Sequence, residues 1–166
     1  AILVDLRPNP MSKQATNESI QVLHRVMKWC SLRDRTAHET ELKLNDLAVK
    51  LGVDVSPSEV EDWLVELQES GYVDDRRCVA SYIRVHAEHK AWGPLKIRAG
   101  LKGRGASHRD IEEGLGEVSD DQWIGLATGL LVRRREELET HRERVLRWML
   151  GKGFPQHVVL SALERL

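Results

Sequence analysis

The sequence predicts an all-α protein made of three tandem three-helix repeats, stacked into an elongated array, straight or curved. Three observations carry this prediction. The first is composition: 166 residues with 31% charged and 5% aromatic side chains suit solvated helices. A β-sandwich would demand more Val, Thr, Tyr and Phe. The second is periodicity, because apolar residues recur at spacings of three, four and seven, which places them on one helix face. The third is a pattern that occurs three times. Leu44-x-x-Leu47-Ala48-x-x-x-Gly52 precedes Val60-x-x-x-Leu64-x-x-Leu67. Ile97-x-x-Gly100-Leu101-x-x-x-Gly105 precedes Ile111-x-x-x-Leu115-x-x-Val118. Val145-x-x-Trp148-Met149-x-x-x-Gly153 precedes Val159-x-x-x-Leu163-x-x-Leu166.

Residues 1–17 are expected to form a flexible N-terminal extension, with Met11 a candidate natural start. The first residues have no basic stretch and too short an apolar run for a signal peptide. Repeat 1 is expected over 18–70. Its first helix carries Ile20, Leu23, Met27 and Cys30, and its second ends at Gly52, where a helix C-cap favours positive φ. Ser56 and Glu59 have capping-box spacing, and Pro57 suits a first helical position. Repeat 2 is expected over 71–119. Val79, Tyr82, Ile83 and His86 stripe its first helix at 76–89, Gly105 closes the second, and Ser107 to Asp110 open the third. Repeat 3 is expected over 120–166. Trp123, Ala127, Leu130 and Leu131 stripe one helix through 122–138, and Pro155 is expected to open the last helix as Pro57 opens an earlier one. This makes nine helices. Each trio has a small core, so neighbours are expected to share apolar surface.

Charge is segregated along the chain. The total is −1, yet residues 39–75 hold eleven acidic and two basic side chains, and residues 76–110 hold nine basic and two acidic. Such blocks create local fields that the net charge hides, although paired, solvated helix faces would produce the same pattern. No apolar run approaches the length needed to span a membrane. Two isolated cysteines, Cys30 and Cys78, fit reduced thiols in a cytoplasmic protein rather than a disulfide framework.

Catalytic patterns fail residue by residue, so the chain is not expected to be an enzyme or to hold a cofactor or metal. His38-Glu39-Thr40-Glu41-Leu42 lacks the second histidine of H-E-x-x-H. His86-Ala87-Glu88 matches H-x-E without a following P-C-x-x-C. His86 and His89 are three apart on a predicted helix, but His86 lies on the apolar face and reads as a core histidine. Gly100, Gly103 and Gly105 sit at a helix end, not in a phosphate loop after a strand. Cys78 follows Arg76 and Arg77, which would lower its pKa if exposed, but its apolar helical position reads as core.

Binding remains. Arg98 and Lys102 share a stripe of one helix, and Arg77 and Arg84 share a stripe of the helix before it. Lys96, Arg104 and Arg109 are close in sequence, and Arg144 and Arg147 share a face in repeat 3. These nine are the candidate contact residues, suited to phosphates or to an acidic protein surface. Trp92 beside Gly93-Pro94 reads as a turn staple, with an exposed stacking platform as the alternative.

The stretch from Leu67 to Leu115 resembles the RecX family of bacterial recombination regulators. The residues that carry the likeness are Gly71-Tyr72-Val73-Asp74-Asp75 with Arg76 and Arg77, then Ala80, Tyr82, Trp92-Gly93-Pro94, Lys96-Ile97-Arg98, Leu101, Arg104-Gly105 and Ile111 with Leu115. Repeat 1 matches more loosely through Arg33, Arg35 and Glu41-Leu42, and repeat 3 through Arg142, Gly153-Phe154 and Val159. Cys78 departs from the family's Phe, and the turn at 53–56 is longer. The resemblance implies tandem three-helix repeats, with Asp74 and Asp75 as hinge and N-cap. It also implies a non-catalytic partner of the RecA–DNA filament that restrains ATP hydrolysis and strand exchange in recombination, repair and the SOS response. No small-molecule substrate or membrane is implied. The alternatives are a stand-alone module for single- or double-stranded DNA, and a helical scaffold for another partner.

Overall fold

The computed structural model describes residues 17–166, and every regular element among them is a helix. The extension expected at 1–17 thus lies outside the described residues except for Asn17. The helices are α1 (Asn17–Ser31), α2 (Ala37–Leu51), α3 (Pro57–Glu69), α4 (Asp75–Glu88), α5 (Pro94–Gly103), α6 (His108–Gly116), α7 (Asp120–Arg133), α8 (Arg135–Thr140), α9 (Arg142–Gly151) and α10 (Gln156–Glu164).

Most boundaries follow from local chemistry. Thr36, Ser56 and Ser119 each close a capping box with the Glu or Gln three residues on, satisfying two orphan N–H groups at once. Asp74 and Ser107 cap α4 and α6 through the N–H groups of Arg77 and Asp110. Gly52, Gly105 and Gly153 take φ of 67°, 74° and 90°, the left-handed turn predicted for them.

Three expectations are corrected. The stripe expected as one helix over 122–138 divides into α7 and α8 at Arg134, giving ten helices among the described residues. At that break the Arg134 N–H bonds to the carbonyls of Leu131 and Val132. Its guanidinium lies 4.0 Å from the centre of the Trp148 ring, and the bend seats Leu138 in the core. Pro155 is the N-cap of α10 rather than its first helical residue. On α1 the buried face is Val22, Val26, Met27 and Cys30, and Ile20 is exposed, because α1 packs on α2 along the 22–26–30 line.

The helices bury two separate cores. Val22, Val26, Leu44, Leu47, Val60, Leu67 and Val73 fill the first, within α1–α3 and the turn after them. The second runs without interruption from Val79 on α4 to Ala162 on α10. The expected sharing of apolar surface therefore holds between the α4–α6 and α7–α10 groups. It does not hold between α1–α3 and the rest.

Backbone contact reinforces the shared core. The Gly93 N–H donates to the Lys152 carbonyl at 2.8 Å, and the Leu95 N–H donates to the Gly153 carbonyl at 3.0 Å. A Cβ on Gly93 would overlap the backbone of Gly153 and Phe154, so only glycine admits this approach.

Candidate partner-binding surface

The α1–α3 group is fastened to α4–α6 by polar contacts, built around the start of α2. The Glu39 carboxylate closes the α2 capping box by accepting from the Thr36 N–H. It also takes a two-pronged ion pair from Arg104, Nε to Oε1 at 2.9 Å and Nη2 to Oε2 at 2.6 Å. Arg104 Nη2 donates further to the Asp34 carbonyl, and the Arg104 carbonyl accepts from the Thr36 hydroxyl at 2.6 Å. Asp75 accepts from the Ala37 N–H at 2.6 Å, and Arg77 Nε donates to Asp34 at 2.8 Å. Two of the nine candidate cations, Arg77 and Arg104, are thus turned onto this joint.

Electrostatics agree with the geometry. Burial works against ionisation of Glu39, but hydrogen bonds from Arg104 and Thr36 outweigh it and hold the carboxyl below its usual range. Burial raises the pKa of Asp75, with the Ala37 N–H working against the rise. Cys78 beside the joint is fully buried, which pushes its thiol up to about 11 and makes it a poor nucleophile. Cys30 is also buried, with its sulfur 3.9 Å from the Thr40 hydroxyl.

Of the remaining seven candidates, three carry carboxylate partners. Arg98 grips Glu112 with Nε and Nη2 at 2.7 and 2.9 Å, which raises the guanidinium pKa. Arg109 pairs with Glu113 at 2.8 Å, and Arg144 with Glu137 at 3.3 Å. Arg84, Lys96, Lys102 and Arg147 have no ion pair among the described residues. Lys96 sits 4.8 Å from the centre of the Trp92 ring, and the other three are exposed. The α4–α5 basic surface is therefore a mixed surface with a few free cations, not a continuous basic stripe.

Arg84 borders a cleft of about 630 Å³ between α4, α6 and α7, floored by Ala80, Ile83, Gly114 and Leu126. His86 is half-buried, as its place on an apolar face suggested. It stacks on Tyr82 with ring centres 3.7 Å apart, and the Trp92 ring, tilted by 48°, has its centre 4.7 Å away. Trp92 packs against the larger core, the staple role rather than an open platform. Among the described residues no group of three or more His, Cys, Asp or Glu side chains is placed to hold a metal.

Sequence reasoning missed the acidic half of the joint, Asp34 and Glu39. One available signal was the T-x-x-E spacing of Thr36 and Glu39, which marks a capping box with a carboxylate to spare. Nothing in spacing alone pairs Glu39 with Arg104, 65 residues away.

Comparison with known proteins agrees with this architecture. Residues 74–115, which span α4–α6, match the model for "RecX, second three-helix domain". The chain is 33% identical over 116 residues to Regulatory protein RecX of Thermus thermophilus, covering 70% of this chain and 76% of that one. It is 34% and 30% identical to the Regulatory protein RecX of Geobacillus kaustophilus and of a second Geobacillus species, covering 64% and 86% of this chain. It spans only 41% and 52% of those two longer relatives. The crystal structure of RecX from Lactobacillus salivarius superposes with a TM-score of 0.80 at 19% identity, over 90% of this chain and 97% of that one. A second RecX crystal structure gives 0.73 at 25% identity, over 89% of this chain and 74% of that one. With a matching central domain, the same fold and a third of its aligned residues shared with a relative it largely covers, this chain belongs to the RecX family of regulatory proteins.

Proposed function

We propose that this protein binds RecA filaments on DNA and restrains their ATP hydrolysis and strand exchange, acting in the cytoplasm and without chemistry of its own. In this reading it modulates recombination and repair, with residues 18–70, 71–119 and 120–166 as three repeat units that meet successive filament surfaces. The observation that carries the reading is family membership combined with a tandem array whose three helix groups are held in fixed relation. The first joint is a polar clasp and the second a shared core with backbone bonding. A body fixed in this way can bridge neighbouring subunits of a polymer. Of the nine candidate contact residues, Arg77 and Arg104 serve the joint, Arg98, Arg109 and Arg144 are paired with carboxylates, and Lys96 lies over Trp92, leaving Arg84, Lys102 and Arg147 free to reach a partner.

The pairing of five of these nine cations with carboxylates favours a protein partner over a stand-alone DNA module. A protein that neutralises many phosphates needs unpaired cations, and its affinity falls steeply with salt. Co-sedimentation separates the two readings. The account expects the protein to pellet with RecA–single-strand filaments and to bind naked DNA weakly. Tight, salt-steep binding to naked DNA without added binding to filaments would overturn it.

A further inference from the structure

We propose that copies of this chain associate head to tail, with the Gly52 end of α2 in one copy seated on the start of α9 in the next. The inference goes beyond the RecA reading and does not depend on it. It starts from a contact that the chain makes twice. By the repeat, α2, α5 and α9 are equivalent helices, running into Gly52, Gly105 and Gly153. In each joint the opening of one of these helices meets the closing turn of the next. At the first joint Thr36, the N-cap of α2, donates its hydroxyl to the Arg104 carbonyl, and the His38 side chain lies where a Cβ on Gly105 would fall. At the second joint Gly93, the N-cap of α5, donates its N–H to the Lys152 carbonyl, and Lys96 lies where a Cβ on Gly153 would fall. In both cases the acceptor is the carbonyl just before a left-handed glycine.

Two halves of this joint are left over, one at each end of the array. Gly52 makes the same left-handed turn and is exposed, and nothing stands within 4 Å of the position its Cβ would take. At the other end α9 opens at His141 without a side-chain cap, and His141, Arg142 and Glu143 are exposed. The Glu137 carbonyl takes the His141 N–H, so the donor offered to a neighbour is the Glu143 N–H, at the second position of α9. Leu95 holds that position in α5, and its N–H donates to the Gly153 carbonyl. The occupant is a second copy because the chain carries the fitting half itself and the charges match. Residues 39–75 hold eleven acidic and two basic side chains, whereas α9 holds three arginines and one glutamate. Asp54, two residues past Gly52, and Arg142, the first residue of α9, are exposed and have no ion pair among the described residues. The negative end of the α2 dipole also meets the positive start of α9. The two surfaces differ and lie at opposite ends, so the contact is heterologous and does not close at two copies.

The test is sedimentation equilibrium of the full chain at low salt, with neither RecA nor DNA present. The proposal expects the weight-average mass to rise about twofold or more between about 1 and about 200 μM, without a plateau at two copies. Added salt should reverse the rise. Asp54→Arg and Arg142→Glu, each at an exposed position, should each hold the protein at the mass of one copy, because each sets like charges against each other. An equimolar mixture of the two variants should associate again, since each then offers the other an opposite charge. A mass that stays at one copy for the unmodified chain overturns the proposal, and this result needs no variant to fold. So does a plateau at two copies, association unchanged in both single variants, or a mixture that does not recover. Failure of the chain to act on RecA would defeat the RecA reading alone, because the mass measurement contains no RecA.

Discussion

Breaking the Arg104–Glu39 clasp should release α1–α3 from the rest of the protein. Arg104→Ala removes both prongs of the ion pair and the donor to the Asp34 carbonyl, and it leaves the Glu39 carboxylate half-buried without its cation. Removing one partner of a fully buried pair typically costs about 3–5 kcal/mol. Here the two side chains keep 18% and 20% of their surface, so the expected loss is smaller, about 2–3 kcal/mol. The assay is urea unfolding of the single variants Arg104→Ala and Glu39→Ala and of the double variant. With a slope of about 2 kcal/mol per molar urea, the single variants should unfold about 1 M earlier. A coupling energy of about 1.5 kcal/mol or more is expected, since the two residues share one network. Because α1–α3 has its own core, the transition in Arg104→Ala should also broaden or split, with the smaller group melting first. A coupling below about 0.5 kcal/mol, with a single sharp transition, would show that the clasp is a surface ornament and that something else holds the first joint.

Four further outcomes follow from the same structure. Leu101 is fully buried in the larger core, so Leu101→Ala should cost about 2–5 kcal/mol, and an unmoved unfolding midpoint would remove it from that core. Gly93→Ala should force apart two closely apposed backbone segments and loosen α7–α10 from α4–α6, visible as faster amide exchange at Gly93 and Leu95; unchanged protection would contradict the close approach. Reversing the three free cations with Arg84→Glu, Lys102→Glu and Arg147→Glu should weaken filament binding without lowering the melting temperature, whereas full binding by the folded triple variant would make them mere solvated faces. Arg98→Glu is a poorer probe, because it would set two carboxylates against each other at Glu112. Finally, Glu39 has a folded-state pKa below its unfolded value. Its stabilisation is present above the unfolded carboxylate range near about pH 4 and is lost as pH falls through the lower folded value. Glu39→Gln should flatten that part of the acid-unfolding profile, and an unaltered profile would assign the loss to other groups.

The helical architecture was legible because its causes are local. Capping residues, left-handed glycines and apolar spacing act within one or two turns, and Ser56, Asp74, Ser107, Gly52, Gly105 and Gly153 do what their neighbours imply. The break at Arg134 was legible only in part: the basic run Arg133-Arg134-Arg135 reads as the close of a helix, but the short helix that follows, with Arg134 against Trp148 of another helix, carries no local signal. Tertiary pairing was hidden for the same reason. Arg98 read as a free member of a basic stripe and Arg104 as a nearby free cation, but each meets a carboxylate supplied by a different helix. Charge counting along a sequence registers the cations and not the acids folded against them. The apolar half of the α4–α10 core was readable from periodicity, while the polar fastening of α1–α3 was not. Polar joints depend on a few long-range partners rather than on a repeated pattern.

The most direct measurement is RecA's single-strand-dependent ATP hydrolysis, titrated with this protein well below one copy per RecA. The account predicts that hydrolysis falls at a small fraction of the RecA concentration, because a rigid body spanning neighbouring subunits affects more of the filament than it occupies. Hydrolysis that stays constant up to equimolar protein, with the protein shown to be folded, would contradict the account.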